Sequence, residues 1–239
     1  RLLDPFAGEG AFLEAAAKAW NVTPYANELD GKRAAACINR FGPTQAVRCD
    51  VERLVASNNA FGIVWANPPY DHDKAASGSK RVEFAYLRHA WKWAQDGAVV
   101  LWCVYNHHLT PEAAAFLAKH STRVDVWALP GKHLGEYDQI IVVAIKGEQP
   151  NPGALYAAIM AGKAEPRPLV VQPEPVYKAP PPRPIQRFVF APDMLDPEQG
   201  LRLIETCGAW TTNGFQALLQ PPTPPTEIEP VVAPRPGHL

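Results

Sequence analysis

The sequence predicts an α/β protein with a doubly wound, mostly parallel sheet, followed by a proline-rich linker and a small, partly helical segment. Three observations carry this prediction. Short apolar runs alternate with Ala- and Leu-rich helical stretches through residues 1–149. The first run ends in a glycine-bearing turn, Asp4-Pro5-Phe6-Ala7-Gly8-Glu9-Gly10. Of the 26 prolines, seven lie in 1–149 and nineteen in 150–239, while charge stays balanced in both parts. The composition shift therefore reports order, not polarity.

Each element follows in turn. Arg1–Leu3 is the end of a buried strand, and Ala11–Trp20 has helical composition. Pro24–Asn27 leads into a second strand ending at Glu28. Asp30–Phe41 is helical, stopped by Gly42-Pro43. Ala46–Cys49 is a third strand ending at Asp50, and Phe61–Ala66 a fourth ending at Asn67. A helix over about Glu83–Gln95 is stopped by Asp96-Gly97, and Ala98–Tyr105 is a buried strand. Pro111–His120 is helical; Arg123–Leu129 and Gln139–Lys146 are β-rich. The alternation argues for helices on both faces of one sheet. Residues 150–186 read as an extended linker, 187–220 as a small C-terminal segment with a helix near Pro197–Thr206, and 221–239 as a proline-rich tail. There is no initiator Met and the first residues already end a strand, so a fragment of a longer protein, lacking part of its N-terminal domain, is expected.

Composition narrows the class. No apolar run reaches the roughly 18 residues of a membrane span. The net charge is −1 and the pI about 6.7, so no basic field advertises a polyanionic partner. Cys37, Cys49, Cys103 and Cys207 form no C-x-x-C pair, which argues against a zinc ribbon or a disulfide framework. A reduced, cytoplasmic setting without metal is expected.

In doubly wound sheets, ligands bind at the carboxyl ends of the strands. Gly8 and Gly10 allow a tight turn and a close approach to the main chain. Glu28 lies 18 residues after Gly10, near the ~20-residue offset at which a carboxylate meets ribose hydroxyls. Asp50, one strand further, is suited to accept from an adenine amino group. Taken singly, each feature is also consistent with a plain turn or a helix-capping acid. The three in register argue for a nucleoside site. Glu9, inside the loop, would repel a diphosphate and suits a cationic ligand. S-adenosylmethionine fits better than NAD.

The fourth strand runs into Asn67-Pro68-Pro69-Tyr70. The bland reading is a proline-stiffened turn. The chemical reading is that two prolines fix the backbone, so a carbonyl and the Asn67 side-chain oxygen aim at one point. An aromatic amine there donates both N–H groups, which frees its lone pair for attack on a methyl group. Tyr70 offers a flat face for a planar base.

Residues 1–149 resemble a class I S-adenosylmethionine-dependent methyltransferase of Rossmann-like fold. The resemblance rests on D-P-F-A-G-E-G at 4–10, N-E-L-D at 27–30, C-D at 49–50 and N-P-P-Y at 67–70. It is strongest to adenine-specific (N6) DNA methyltransferases of bacteria, phages and mobile elements. It implies that Asp4, Pro5, Phe6, Gly8 and Gly10 frame the cofactor, that Glu28 binds its ribose and that Asp50 contacts its adenine. It also implies that Asn67, Pro68, Pro69 and Tyr70 hold a base flipped out of DNA, in a restriction–modification, phage-defence or orphan enzyme. An RNA base, cytosine N4, a protein glutamine or a non-catalytic cofactor-binding module remain alternatives, since each amine or amide presents an N–H₂ to Asn67. The family's cofactor-closing segment before the first strand and its basic target-recognition region are not evident. The best local candidate for contacting DNA is His72–Arg81, with Lys74, Lys80 and Arg81, although a solvated loop reads equally well.

Other features read as structural. His107-His108 is a loop pair rather than a metal site. Trp91, Trp93 and Trp102 are packing residues, and Cys49 and Cys103 are buried thiols. Tyr137-Asp138-Gln139, before the last apolar strand, resembles the hairpin that closes such a sheet, and Tyr137 is not assigned to the base pocket. Pro221–Pro225 reads as a stiff linker to a further domain rather than as a ligand for proline-binding modules.

Overall fold

The computed structural model describes residues 1–69, 82–129, 138–170 and 174–190. Five α-helices and ten strands are found there: β1 (Leu2–Asp4), α1 (Ala11–Trp20), β2 (Pro24–Glu28), α2 (Gly31–Phe41), β3 (Ala46–Arg48), β4 (Leu54–Ala56), β5 (Phe61–Ala66), α3 (Val82–Trp93), β6 (Ala94–Tyr105), α4 (Pro111–His120), β7 (Ser121–Ala128), β8 (Gln139–Lys146), α5 (Pro152–Ala164), β9 (Arg167–Pro168) and β10 (Phe188–Phe190).

Eight strands make one sheet in the order β3-β2-β1-β5-β6-β8-β7-β9. β3, β2, β1, β5 and β6 pair in parallel. β8 runs antiparallel between β6 and β7. This is the doubly wound, mostly parallel α/β sheet that the sequence predicts. The chain moves outward from β1 to β3 on one side, then returns to β5 and moves outward on the other. The switch point therefore lies between β1 and β5.

Strand periodicity sorts the side chains between the two faces. From β8, Ile140, Val142 and Ala144 enter the larger core with Leu87 and Trp91 of α3, Leu117 of α4 and Ile159 of α5. Ile141 and Val143 enter the opposite face with Val99, Cys103 and Trp127. On that opposite face α1 and α2 cover β1 and β2, with Leu13, Ala16 and Cys37 against Leu2, Ala26 and Ile63. Further along, no helix among the described residues caps the face. Leu169 and Tyr177, from the proline-rich chain, pack there instead.

That chain departs from expectation. Residues 150–186 read as an extended linker, yet 152–164 form α5. The cause is local: Asn151 accepts from Ala154 N at 3.0 Å and Pro152 occupies the first turn, a strong helix start. Alanine-rich residues then propagate the helix. Gly162 lets it approach β7 closely, since a Cβ there would sit 3.3 Å from Val126.

Beyond α5 the chain is extended but anchored. The Tyr177 hydroxyl accepts from Trp127 Nε1 at 2.8 Å and donates to Asp125 at 3.0 Å. Pro181 O accepts from Gln95 Nε2 at 2.9 Å. β10 then pairs antiparallel with β4, and Phe188 packs edge-on against Tyr25 and Phe61. We refer to residues 167–190 as the strap.

The long helix ends two residues earlier than expected, and Gln95-Asp96-Gly97 joins β6. A register shift between Phe61 and Ile63 absorbs the extra residues, with Gly97 at φ +78°. The expected helix near Pro197–Thr206, the His72–Arg81 loop, Tyr70 and Tyr137 lie outside the described residues. No helix among the described residues is long and apolar enough to cross a membrane.

Candidate active site

The loop after β1 is built by backbone geometry and two buried clips. Gly8 and Gly10 adopt φ +57° and +80°, the left-handed region that favours glycine. A Cβ on Gly10 would meet Phe41 Cε2 at 2.7 Å, so α2 packs there only because glycine stands in the loop. A Cβ on Gly8 would meet nothing within 4 Å, so that position borders open space.

Glu28, at the end of β2, reaches across to this loop. Its Oε2 accepts from Gly8 N at 2.8 Å and its Oε1 from Asp30 N at 2.9 Å. Arg33 Nη2 sits 3.1 Å from Oε1. A carboxylate has about four lone-pair sites, so acceptor capacity remains for a ligand. Glu28 is thus not the cap of α2. Asp30 is, accepting from Arg33 N at 2.9 Å.

Asp4 is fully enclosed at the end of β1. Burial pushes its carboxyl up to about 7, the Phe6 N–H bond pulls down, and the charge of Glu28 adds to the rise. Asp50 is half-buried and caps a single 3₁₀ turn by accepting from Glu52 N at 2.9 Å. Its capping role, an alternative in the sequence, is therefore present.

Two residues that sequence reasoning left without a role tie these strand ends together. Asn27 Nδ2 donates to Pro5 O and to Cys49 O, both at 3.1 Å, and its Oδ1 accepts from the Cys49 thiol at 3.1 Å. One buried amide thus clamps the ends of β1 and β3 across β2. Cys37 Sγ donates to Gly8 O at 3.1 Å, and burial holds its thiol up at about 11. The signal in the sequence was only that Asn27 belongs to N-E-L-D.

On the other side of the switch point, β5 ends in Asn67, which is exposed, Pro68, which is buried, and Pro69, which is exposed. The β1–β5 register Leu3↔Val64 brings the two strand ends level within a residue. Phe6 of the glycine loop contacts Tyr86 of α3, with ring centroids 5.1 Å apart. That joins the glycine loop to the helix that follows the Asn-Pro-Pro segment. Tyr86 is a third residue the sequence reading did not single out. Tyr70 lies outside the described residues.

Further along the same edge, His107 stacks on Tyr105 at 5.5 Å, and His108 Nδ1 lies 3.3 Å from Glu83 Oε1, both groups buried. No group of three metal-ligating side chains occurs among the described residues.

The fold brings a glycine-opened loop, a carboxylate and a polar, proline-fixed turn together at one switch point. The chain belongs to a family described as the uncharacterised methyltransferase family DUF6094, whose family model matches residues 1–160. The family is thus one described as methyltransferases. No curated protein matches the chain. Among solved structures, it is similar to a class I S-adenosylmethionine-dependent methyltransferase from Listeria monocytogenes (14% identity, TM-score 0.48, covering 69% of this chain and 63% of that one). It is also similar to the M protein of the type I restriction enzyme EcoKI (15%, 0.45, 63% and 40%). A third similar structure is the tRNA m1G37 methyltransferase of M. jannaschii (14%, 0.41, 62% and 44%). The chain thus spans less than two thirds of each of these proteins.

The residues present fit the cofactor. The open space at Gly8 admits a ligand against the main chain, Glu28 retains an acceptor site, and Glu9 and Glu28 place carboxylates at the loop. That suits a ligand carrying an ammonium and a sulfonium.

Proposed function

We propose that this methyltransferase modifies the exocyclic N6 amino group of adenine in DNA, as a restriction–modification, phage-defence or orphan enzyme. One observation carries the reading: Asn67-Pro68-Pro69 leaves β5 directly beside the glycine loop of β1, on the two sides of the switch point.

In this reading Asp4, Pro5, Phe6, Gly8 and Gly10 wall the cofactor. Glu28 accepts from ribose hydroxyls, with the Gly8 and Asp30 amides holding its carboxylate in place. Asp50 accepts from the cofactor's adenine amino group through its second oxygen, the first being held by Glu52 N. When bound, S-adenosylmethionine supplies an electrophilic methyl group. Asn67 Oδ1 and the Pro68 carbonyl accept the two N–H groups of the target amine and draw its nitrogen toward tetrahedral geometry. Pro68 and Pro69 restrict the backbone, so the two acceptors are set before the base arrives. Tyr70 stacks on the flipped base. Positioning, not a strong base, is the main contribution.

The test uses S-adenosylmethionine and unmethylated DNA, digestion to nucleosides and mass spectrometry, with Asn67→Ala as control. N6-methyladenine that disappears in the variant is the expected result. Methylated cytosine, RNA or glutamine instead would move the reaction to another amine. Cofactor binding without any methylated product would favour a non-catalytic module.

A further inference from the structure

A second concave site lies at the opposite edge of the sheet. A cavity of about 660 Å³ opens between the C-terminal half of α3, the turn before β5 and the end of β8. Arg88, His89, Lys92 and Lys146 line it with the carboxamides of Asn58 and Asn59, and among the described residues no carboxylate does. Trp91 and Phe116 form its apolar wall.

Asp96 acts on Lys146, and Glu52 and Asp50 act on His89, but the two exposed cations of α3 have no such partner in an ion pair. Among the described residues, neither Arg88 nor Lys92 has an ion-pair partner, and the two stand one turn apart on the same face of α3. Lys146 directs its ammonium only at neutral oxygens: Asn59 Oδ1 at 2.9 Å, Trp91 O at 3.0 Å and Ala94 O at 2.7 Å. Trp91 O belongs to the last turn of α3, whose dipole offsets about half a charge, and Ala94 O follows directly in β6. Burial and then Lys92 hold the His89 imidazole below its ordinary value, with Arg88 adding, while Glu52 and Asp50 act in the opposite direction. The cleft is therefore an unfilled place for negative charge.

We propose that this cleft binds backbone phosphates of the nucleic-acid substrate, with Arg88 and Lys92 as charged donors and the Asn58 and Asn59 amides as neutral ones. The inference rests on the nucleic-acid reading above. β5 has six residues, so the cleft lies on the order of 20 Å from Asn67. That is about six base-pair steps, within reach of a duplex lying along α3. These contacts carry affinity and register, not sequence.

The experiment measures DNA binding against salt, separately from methylation, for the full chain and for Arg88→Glu/Lys92→Glu, with Lys18→Glu on α1 as control. The expected result is a loss of about 10-fold or more in DNA affinity and a salt slope smaller by about 2. S-adenosylmethionine affinity and Tm should stay unchanged, and the control should match the parent. Inorganic phosphate should raise the His89 titration midpoint, read by NMR, in the parent but not in the variant. Unchanged DNA affinity and slope in the variant would overturn the cleft while leaving the reaction standing. So would a parent that binds no DNA. Affinity lost in the variant, with no methylated base made by the parent, would support the cleft and sink the reaction.

Discussion

Glu28, at the end of β2, accepts a 2.8 Å hydrogen bond from the amide of Gly8, twenty residues earlier. The bond locks the glycine loop and the carboxylate into one unit before any ligand arrives. Glu28→Ala should therefore weaken S-adenosylmethionine binding about 10- to 100-fold, given that charged hydrogen bonds contribute roughly 1.5–3 kcal/mol. Calorimetric titration checks this, and an unchanged Kd would remove Glu28 from the ribose role. Circular dichroism should show the fold retained.

Asn67→Ala should separate binding from turnover. The side chain is exposed at the strand end, so its loss should cost little stability. Turnover should fall by at least about 100-fold, as expected when one polarising acceptor is removed, while cofactor affinity changes less than about twofold. An active variant would refute the amine-polarising role.

The two glycines should respond differently to alanine. Gly10→Ala forces a Cβ to within 2.7 Å of the Phe41 ring at φ +80°, so a destabilisation of about 2–4 kcal/mol is expected. Gly8→Ala meets open space at φ +57° and should cost only about 1–2 kcal/mol. Its methyl group should instead block the cofactor. Thermal melts paired with binding titrations distinguish the two, and a Gly8 variant with full affinity would place the ligand elsewhere.

Asp4 gives a pH signature. Its ordinary value of 3.8 rises to about 7 in the fold, chiefly through burial. The folded state thus holds a proton that the unfolded chain releases between those values. The stabilisation is complete below about pH 4, declines as pH rises toward 7, and is lost above it, by about 4 kcal/mol in all. Asp4→Asn keeps an acceptor for Phe6 N and should flatten this part of the stability profile. Denaturant melts between pH 4 and 8 check the slope; parallel profiles for the two proteins would mean that Asp4 is ionised in the fold.

Phe188 tests the strap. It is buried between Tyr25 and Phe61, so Phe188→Ala should cost about 3–5 kcal/mol. A change below about 1 kcal/mol would show that the strap only rests on the surface.

The main helices and strands were legible in the sequence because their signals are local. Thr110-Pro111 starts α4 where expected, and Gln139–Lys146 forms β8 over the expected residues. Asp4, Glu28, Asp50 and Asn67 also fall within two residues of the carboxyl ends of their strands. What escaped depends on partners far along the chain. Leu54–Ala56 is too short to read as a strand until Phe188–Phe190 pairs with it. Asn27 and Cys37 gain their roles only through contacts with residues 22 and 29 positions away. The α5 start was readable at Asn151-Pro152, but the surrounding prolines dominated the composition.

The strap also separates two kinds of boundary. The family match stops at residue 160, whereas the compact body continues to Ala191. A protein trimmed where the resemblance stops would leave Trp127 and Phe61 without Tyr177 and Phe188 against them. The matched unit and the compact unit of this chain therefore differ by about thirty residues, and the later boundary is the one to respect when a minimal version is expressed.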